Sequence, residues 1–190
     1  MLFRSVVTNG MSNFDRSGKN ANSALLLNVL PDELGDDLFS GFEYQSKLER
    51  LAFLEGGENY RAPCQLVGDF MEGTVGHYFG KVEPSYSLGV TMTKMENILS
   101  IEQCDMLRKG IVAMGKKLPG FDAPDSVLTA VESRATCPVR ILRDDSFQSS
   151  LKGVYPIGEG AGYAGGIMSS AMDGMRAVEA YFNLRKESLE

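Results

Sequence analysis

Three glycines late in the chain have a spacing used to bind nucleotide phosphates. The stretch GVYPIGEGAGYAGGI covers residues 153–167 and contains Gly160-x-Gly162-x-x-Gly165. In a dinucleotide-binding unit this pattern follows a strand, opens a helix, and precedes a second strand with an acidic end. We predict a strand at 154–157 and a helix at 164–184, after which only the polar residues 185–190 follow. We therefore do not expect the first strand-helix-strand unit of such a fold at this position.

Two interpretations of these glycines stay open. In the first, bare backbone amides at the start of the helix bind a phosphate or flavin, because the helix dipole favours negative charge there. In the second, the glycines only allow the helix to pack closely on the strand, which accounts better for Gly165 and Gly174 than for Gly160 or Gly162.

The composition limits the classes of function. The chain has 190 residues and a net charge of -6, and it lacks the basic face that nucleic acid requires. No apolar run approaches a membrane span, and residues 1–7 lack the pattern of a signal peptide, so we expect a cytoplasmic protein. Three irregularly spaced cysteines and the single His77 predict neither a metal site nor a histidine-based triad.

Apolar periodicity predicts a mixture of helices and strands. Helices are predicted at 41–55, at 101–118 behind a Ser100/Gln103 capping box, and at 164–184. One apolar face of the last helix is predicted to carry Ile167, Ala171, Met175, Val178 and Phe182. Strands are predicted at 5–8, 24–30, 127–133, 138–142 and 154–157. One or two helical turns are expected at 65–71, and mostly loop at 72–97.

Five segments in order carry a resemblance to a known family. They are TNGMS (8–12), ANSAL (21–25), NYRAPCQLVGDF (59–70), VESRATCPVRILRD (131–144) and GVYPIGEGAGYAGGIMSSAMDGMRAVEA (153–180). Together they resemble the C-terminal part of a bacterial family of uncharacterised FAD-dependent dehydrogenases, within the flavoproteins that have two dinucleotide-binding domains. Members of that family are longer and begin with a strand-GxGxxG-helix unit for the ADP half of FAD, which this sequence does not contain.

The resemblance implies an α/β (mixed α+β) fold, the C-terminal portion of an FAD/NAD(P)-binding flavoprotein with an inserted substrate-side unit. Residues 1–20 are then a flavin-domain strand and loop, 21–126 the insert, and 127–190 the closing part of the FAD-binding domain. The glycine stretch corresponds to the family's second flavin motif. The residues that this assigns to the cofactor are Gly158, Glu159, Gly160, Ala161, Gly162, Tyr163, Gly165, Gly166 and Ile167.

Two arginines and one loop are the remaining candidates. The resemblance places Arg134 and Arg140 near the flavin, where a permanent cation can bind a carboxylate substrate or stabilise an anionic flavin. A solvated or salt-bridged arginine is the alternative for each. The loop Asn9, Gly10, Met11 and Ser12 lines the substrate side in this interpretation, and a plain turn is its alternative. Ala135 and Cys137 depart from the family's usual residues, and we expect Cys137 to be an inert thiol.

These features predict a C-terminal part of an FAD-dependent oxidoreductase, active when joined to the half that binds the nucleotide. The partners implied are FAD and a small-molecule substrate, with no metal, nucleic acid or membrane. By itself the chain is expected to retain no FAD, to be inactive, and to self-associate through surface that the other half covers. A non-enzymatic domain that binds a small ligand or anion, or an interaction domain, is the alternative function.

Overall fold

The chain divides into two compact units. The structure, a computed structural model, describes the backbone of residues 4–187 and the side chains of residues 4–183. The first unit comprises Met1–Leu34 and Glu43–Ser133, and the second comprises Gly35–Phe42 and Arg134–Glu190. The helices are α1 (Ser40–Glu55), α2 (Val67–Glu72), α3 (Ile101–Gly115) and α4 (Ile167–Glu187), and the strands are β1 (Ala62–Leu66), β2 (Val90–Met92) and β3 (Val127–Thr129). The predicted mixed α and β fold is confirmed.

The three strands form one sheet in the first unit. β1 lies in the centre, parallel to β2 and antiparallel to β3. β1 was not predicted, since helical turns were expected from residue 65 and proline, here Pro63, is rare in a central strand. Pro63 is placed opposite Ala130, one residue beyond the last β1–β3 pair. It accepts a hydrogen bond from the Ala130 N–H at 3.0 Å and returns none, so the ladder ends there.

The hydrophobic core belongs to the first unit. It joins α1, β1, α2 and α3 through buried side chains that include Phe53, Cys64, Phe70, Cys104 and Ile111. Both polar atoms of the buried Gln65 amide have a partner, because its Nε2 donates to Thr74 O at 2.7 Å and its Oε1 accepts from Met95 N at 2.8 Å. These two hydrogen bonds tie the loops at Thr74 and Met95 to β1 and offset the cost of burying the amide.

The three long helices were predicted correctly, with shifted ends. α1 begins one residue earlier than predicted, α3 ends at Gly115 rather than at 118, and α4 begins at Ile167 rather than at 164. The capping box of α3 is present, since Ser100 Oγ accepts from Gln103 N and Gln103 Oε1 accepts from Ser100 N. Ala164, Gly165 and Gly166 lie outside the helix, and the two glycines do not favour helix formation.

Most of the predicted strands are wrong. Residues 5–8, 24–30, 138–142 and 154–157 are not strands, and the predicted strand 127–133 shortens to Val127–Thr129. Residues 5–8 show why. Val6 and Thr8 are buried while Val7 is exposed, as in a strand, but Val6 N donates to Glu49 O on α1 and Thr8 N donates to Val131 O. The alternating buried and exposed residues therefore form an extended segment. Its backbone N–H groups bind two different parts of the chain, so no β-ladder forms.

The second unit has almost no core of its own. Within residues 35–42 and 134–183, only Pro156, Ala161 and Ala177 have buried side chains. The predicted apolar face of α4 is exposed, with Ile167 91% and Met175 63% exposed. The side of α4 that turns inward carries mostly small residues, namely Ser170, Asp173, Gly174, Ala177 and Ala180. Small side chains let the helix approach residues 157–158 closely, and the large apolar residues are left on the opposite side.

Candidate functional site

The glycine stretch folds as a compact turn ahead of α4. Gly158 and Gly162 both have left-handed backbone, with φ of 69° and 80°. The N–H of Gly162 donates to Glu159 O at 2.9 Å, and the N–H of Tyr163 donates to Gly158 O at 3.0 Å. Glycine is the residue that adopts such φ values without strain, so the sequence folds this way locally because of Gly158 and Gly162. We name residues 158–163 the glycine turn.

Packing within the chain accounts for Gly162. A Cβ at this position would lie 2.4 Å from Val139 O and 2.9 Å from Arg140 Cα. Residues 139–141 lie beside the turn, since Ile141 N donates to Ala161 O at 3.1 Å and Arg140 Nε donates to Gly162 O at 3.0 Å. The prediction that close packing accounts better for Gly165 and Gly174 than for Gly162 is therefore wrong, because the backbone of residues 139–140 leaves no room for a side chain at Gly162.

Gly160 is in the opposite situation. It is exposed, its φ is not left-handed, and a Cβ built on it meets nothing within 4 Å. In the described part of the chain, no acceptor binds the N–H of Gly160 or of its neighbour Glu159. Nothing inside the chain requires a glycine here. The bare backbone at Gly160 is thus the part of the turn that is open to a ligand.

A buried ion pair that the sequence analysis missed holds the turn. Arg143 binds Asp173 of α4 with two parallel hydrogen bonds, Nη1 to Oδ2 at 2.9 Å and Nη2 to Oδ1 at 2.7 Å. The two side chains are only 10% and 12% exposed. Nη1 of Arg143 also donates to Pro156 O at 2.8 Å, and Asp173 Oδ2 accepts the N–H of Gly158 at 2.9 Å. A carboxylate among the small residues of one helix side was the available signal.

The charges of this pair are mutually stabilised. The hydrogen bonds from Arg143 lower the pKa of Asp173 to about 2, with the Gly158 amide acting in the same direction against the effect of burial. The bonds to Asp173 also raise the pKa of Arg143 above its usual range. Both groups are therefore ionised at neutral pH, as expected for a bidentate arginine–carboxylate pair.

Tyr163 closes the turn between two cations. The guanidinium carbon of Arg143 lies 3.6 Å from the centre of the Tyr163 ring, and that of Arg140 lies 5.0 Å from it. These are cation–π contacts, so the ring is engaged by arginines of the same chain. Arg140 is exposed and anchored to the turn through Nε, as described above. Arg134 is also exposed.

The other predicted cofactor residues lie at the start of α4. Gly165 faces Thr136, whose Cγ2 would be 3.1 Å from a Cβ, and the Gly166 N–H donates to Ser169 Oγ at 3.1 Å. Ile167 is the first residue of the helix and is almost fully exposed. Arg140 was predicted within the strand 138–142, but residues 134–142 form no strand, so neither Arg134 nor Arg140 lies in a sheet.

The predicted substrate-side loop belongs to the first unit. Asn9, Gly10, Met11 and Ser12 are all exposed. Asn22 Nδ2 donates to Met11 O at 3.0 Å, and a Cβ on Gly10 would lie 2.5 Å from Asn22 Oδ1. Asn22 therefore fixes this loop, and its side-chain oxygen lies against Gly10.

The cysteines do not add a reactive centre. Cys64 and Cys104 are buried, and burial raises the pKa of each thiol to about 11, so both are protonated at neutral pH. Cys137 is half-buried. Within residues 4–183, no group of three histidine, cysteine, aspartate or glutamate side chains is arranged to hold a metal ion. None of the helices in the described part of the chain has the length and apolar character needed to cross a membrane.

Comparison with known proteins relates these features to a family. Residues 3–135 match the family described as "FAD-dependent protein, C-terminal domain-like". An uncharacterised protein of Clostridium beijerinckii (strain ATCC 51743 / NCIMB 8052) is 44% identical over 176 residues, which cover 92% of this chain and 33% of that protein. The chain thus spans about a third of the length of this relative. An alignment over 176 residues of a 190-residue chain must include the glycine turn (158–163), wherever in the chain the alignment begins.

The family match and the fold agree in their extent. The matched residues 3–135 include nearly all of the first unit, with its three-stranded sheet, α2 and α3, and they end where the second unit resumes at Arg134. The match covers well over half of the chain. This chain therefore belongs to the family of FAD-dependent proteins that share this C-terminal domain.

Proposed function

We propose that this chain is the C-terminal part of a cytoplasmic FAD-dependent oxidoreductase, and that its glycine turn contacts the flavin. The family match is the observation that carries the proposal, because it implies FAD in the complete protein. In this proposal residues 1–20 and 127–190 belong to the flavin domain and residues 21–126 form the substrate-side insert. Three free cysteines are compatible with the reducing cytoplasm.

The residues of the glycine turn fit a bound FAD. Among the described residues the amides of Glu159 and Gly160 have no acceptor, and they lie on exposed backbone with open space in front of Gly160. Ser170 Oγ, on the first turns of α4, is buried without a hydrogen-bond partner in the described structure, and it lies beside Gly158. Free amides, an unpaired hydroxyl and the N-terminal end of a 21-residue helix suit the pyrophosphate or the flavin carbonyl edge.

Each residue has a distinct role in this proposal. The amides of Glu159 and Gly160 bind an oxygen of the cofactor, and the Glu159 carboxylate accepts from ribityl or ribose hydroxyls. Arg140, fixed to the turn through Nε, directs its remaining donors to a substrate carboxylate or to negative charge on the flavin, and Arg134 has the same role. The flavin supplies the hydride chemistry when it is bound, and the protein positions it and excludes water.

A groove in the first unit supports the idea of a substrate-side insert. It has a volume of about 650 Å³, within the usual range for small-molecule sites. Leu48, Leu51 and Ile98 supply apolar walls, while Lys47 and the Tyr44–Gln103 hydrogen bond supply polar groups. We assign the small-molecule substrate to the first unit on this basis, together with the loop Asn9–Ser12.

The exposed surface of the second unit supports a covering partner. Three of the unit's described side chains are buried, and so few buried side chains gain little from the hydrophobic effect. The matched relative is about three times as long as this chain. We therefore assign the apolar side of α4 to contact with the nucleotide-binding half of the flavoprotein.

A chimera tests the proposal. This chain replaces the matched region of the Clostridium beijerinckii relative, and flavin retained through gel filtration is measured by its visible absorbance. We expect the chimera to retain flavin and this chain alone to purify without it. Gly160→Leu should weaken flavin binding at least about tenfold, because the side chain occupies the space in front of the free amides.

Gly110→Leu is the matched control. Gly110 lies in α3, and a Cβ there also meets nothing within 4 Å, so the same substitution is made in equally open space. Gly162→Ala cannot serve this purpose, because its clash with residues 139–140 disturbs the turn whether or not flavin is bound. A chimera that lacks flavin, or a Gly160→Leu variant that holds it as tightly as the parent, contradicts the proposal. Binding of phosphate or another small anion without flavin would favour the non-enzymatic alternative.

A further inference from the structure

One guanidinium contacts both sides of the glycine turn. Arg143 Nη1 donates to Pro156 O before the turn, and the guanidinium stacks at 3.6 Å on Tyr163 at its end. Through Asp173 it is also connected to the Gly158 N–H, the first amide of the turn. Three points along residues 156–163 are thus tied to one ion pair.

The surroundings of Arg143 restrict its movement. Besides Tyr163, the ring of Phe147 lies 4.2 Å from the guanidinium carbon. Phe147 has a φ of 65°, which lies in the left-handed region that bulky residues rarely adopt. Asp144 holds this conformation, because Oδ1 accepts from Ser146 N at 2.9 Å and Gln148 N at 3.0 Å, and its carbonyl accepts from Phe147 N. The loop 144–148 therefore maintains an unfavourable conformation that places an aromatic ring on Arg143.

The pair leaves the ligand-facing part of the turn unused. Arg143 and Asp173 bind Pro156, Gly158 and Tyr163, whereas the amides of Glu159 and Gly160 keep no acceptor in the described structure. Neither charge is open to a ligand, since both side chains are about nine-tenths buried and bind each other. The pair can therefore position the neighbouring amides but cannot bind a ligand directly.

We propose that Arg143 and Asp173 are positioning residues that hold the glycine turn in its flavin-binding form. This inference rests on the proposed function of the turn. It assigns a role to two residues outside the glycine motif and to the strained loop 144–148. It also explains why the inward side of α4 carries a carboxylate among small residues. Groups that orient ligand-binding residues affect affinity about tenfold to a hundredfold at metal sites, and we expect a loss of that order here.

Asp173→Asn and Arg143→Lys test the inference. Asparagine keeps the shape but loses the charge, and lysine keeps the charge but cannot form the two parallel bonds or the stack. Asp105→Asn is the control, because Asp105 also pairs with an arginine, Arg108, but lies exposed on α3. In the 190-residue chain, hydrogen exchange of the Gly158 amide should be at least tenfold faster in both variants, with α3 unchanged.

The chimera gives the second readout. Both variants should bind flavin at least tenfold more weakly than the parent and change its visible circular dichroism, at a temperature where circular dichroism in the far ultraviolet shows them folded. A change of melting temperature alone, with affinity and flavin spectrum unchanged, overturns the inference, as does unchanged exchange at Gly158. If the parent chimera retains no flavin, the proposed function fails. Retained flavin in the parent with unaffected variants overturns only the role of this pair.

Discussion

At the scale of single residues, the ion pair of Arg143 and Asp173 gives a pH dependence that can be measured. The pKa of Asp173 is about 2 in the folded chain against an ordinary value of 3.8. A carboxylate with a lowered pKa stabilises the fold above its unfolded pKa, and the contribution is lost as the pH falls through the folded value. The pair should therefore contribute about 2 kcal/mol above roughly pH 4, and lose it between about pH 4 and 2.

Asp173→Asn should remove this contribution. We expect the variant to be less stable by about 2 kcal/mol at neutral pH and to lack this part of the acid dependence. Urea unfolding at a series of pH values measures both effects, and an NMR titration of the carboxyl group gives its pKa directly. Parallel stability curves for the parent and the variant from pH 5 to pH 2 would show that the pair does not stabilise the fold.

The glycine turn shows which residue roles a sequence can reveal. The spacing of Gly160, Gly162 and Gly165 identified the turn, but not which glycine faces outward. That distinction depends on residues 139–140, which approach Gly162 from a distant part of the chain. Arg143 and Asp173 lie 30 residues apart and have no shared motif, so their contact could not be derived from spacing. The predicted flavin contacts themselves stay a prediction.

At the scale of secondary structure, α3 offers a test of a local signal that was predicted and confirmed. Ser100 Oγ accepts from Gln103 N at 3.2 Å, and Gln103 also donates to Tyr44 of α1. Ser100→Ala should destabilise the first unit by about 1 kcal/mol, because an amide at the start of the helix loses its acceptor. Thermal unfolding measures the loss. Ser100→Asp is the control and should retain most of the stability; equal stability of all three proteins would mean that the cap contributes nothing.

Helices were predicted better than strands for a physical reason. The capping box of α3 and the apolar periodicity of α1 and α3 involve residues within four positions of one another, so the sequence contains the whole interaction. A strand needs a partner that the sequence does not identify. Residues 154–157 are apolar and follow the pattern of a strand, yet Val154 N donates to Leu151 O in a local turn. β1 shows the opposite case: its sequence contains a proline and does not look like a strand, but β2 and β3 pair with it on both sides and make it one.

At the scale of the whole molecule, the two units differ in how they are stabilised. The first unit has a sheet, a hydrophobic core and satisfied buried polar groups such as Gln65. The second depends on the glycine turn, the Arg143–Asp173 ion pair and the small-residue side of α4, and most of its described large apolar side chains are exposed. The composition of the chain, with its 43% hydrophobic residues, predicts an adequate core but does not reveal that this core lies in one unit.

This asymmetry predicts self-association of the chain by itself. The apolar side of α4 carries Ile167, Met168, Met172, Met175 and Val178, all exposed, and contiguous patches of this kind promote association. Light scattering at increasing concentration should show species larger than the 20.7 kDa monomer. The paired substitution Ile167→Lys and Met175→Lys should shift the chain to monomer, because lysine suits an exposed helix face and introduces charge repulsion.

Ile101→Lys is the control that distinguishes an effect of the α4 surface from the effect of removing any exposed apolar side chain. Ile101 lies at the start of α3 in the first unit and is 68% exposed, so it is a comparable isolated side chain outside the α4 face. Its substitution should leave the association unchanged. In the chimera, by contrast, the α4 substitutions should weaken flavin retention, because the same surface is there assigned to the nucleotide-binding half. A parent chain that stays monomeric at high concentration, or α4 variants that associate and bind flavin as the parent does, would refute this use of the surface.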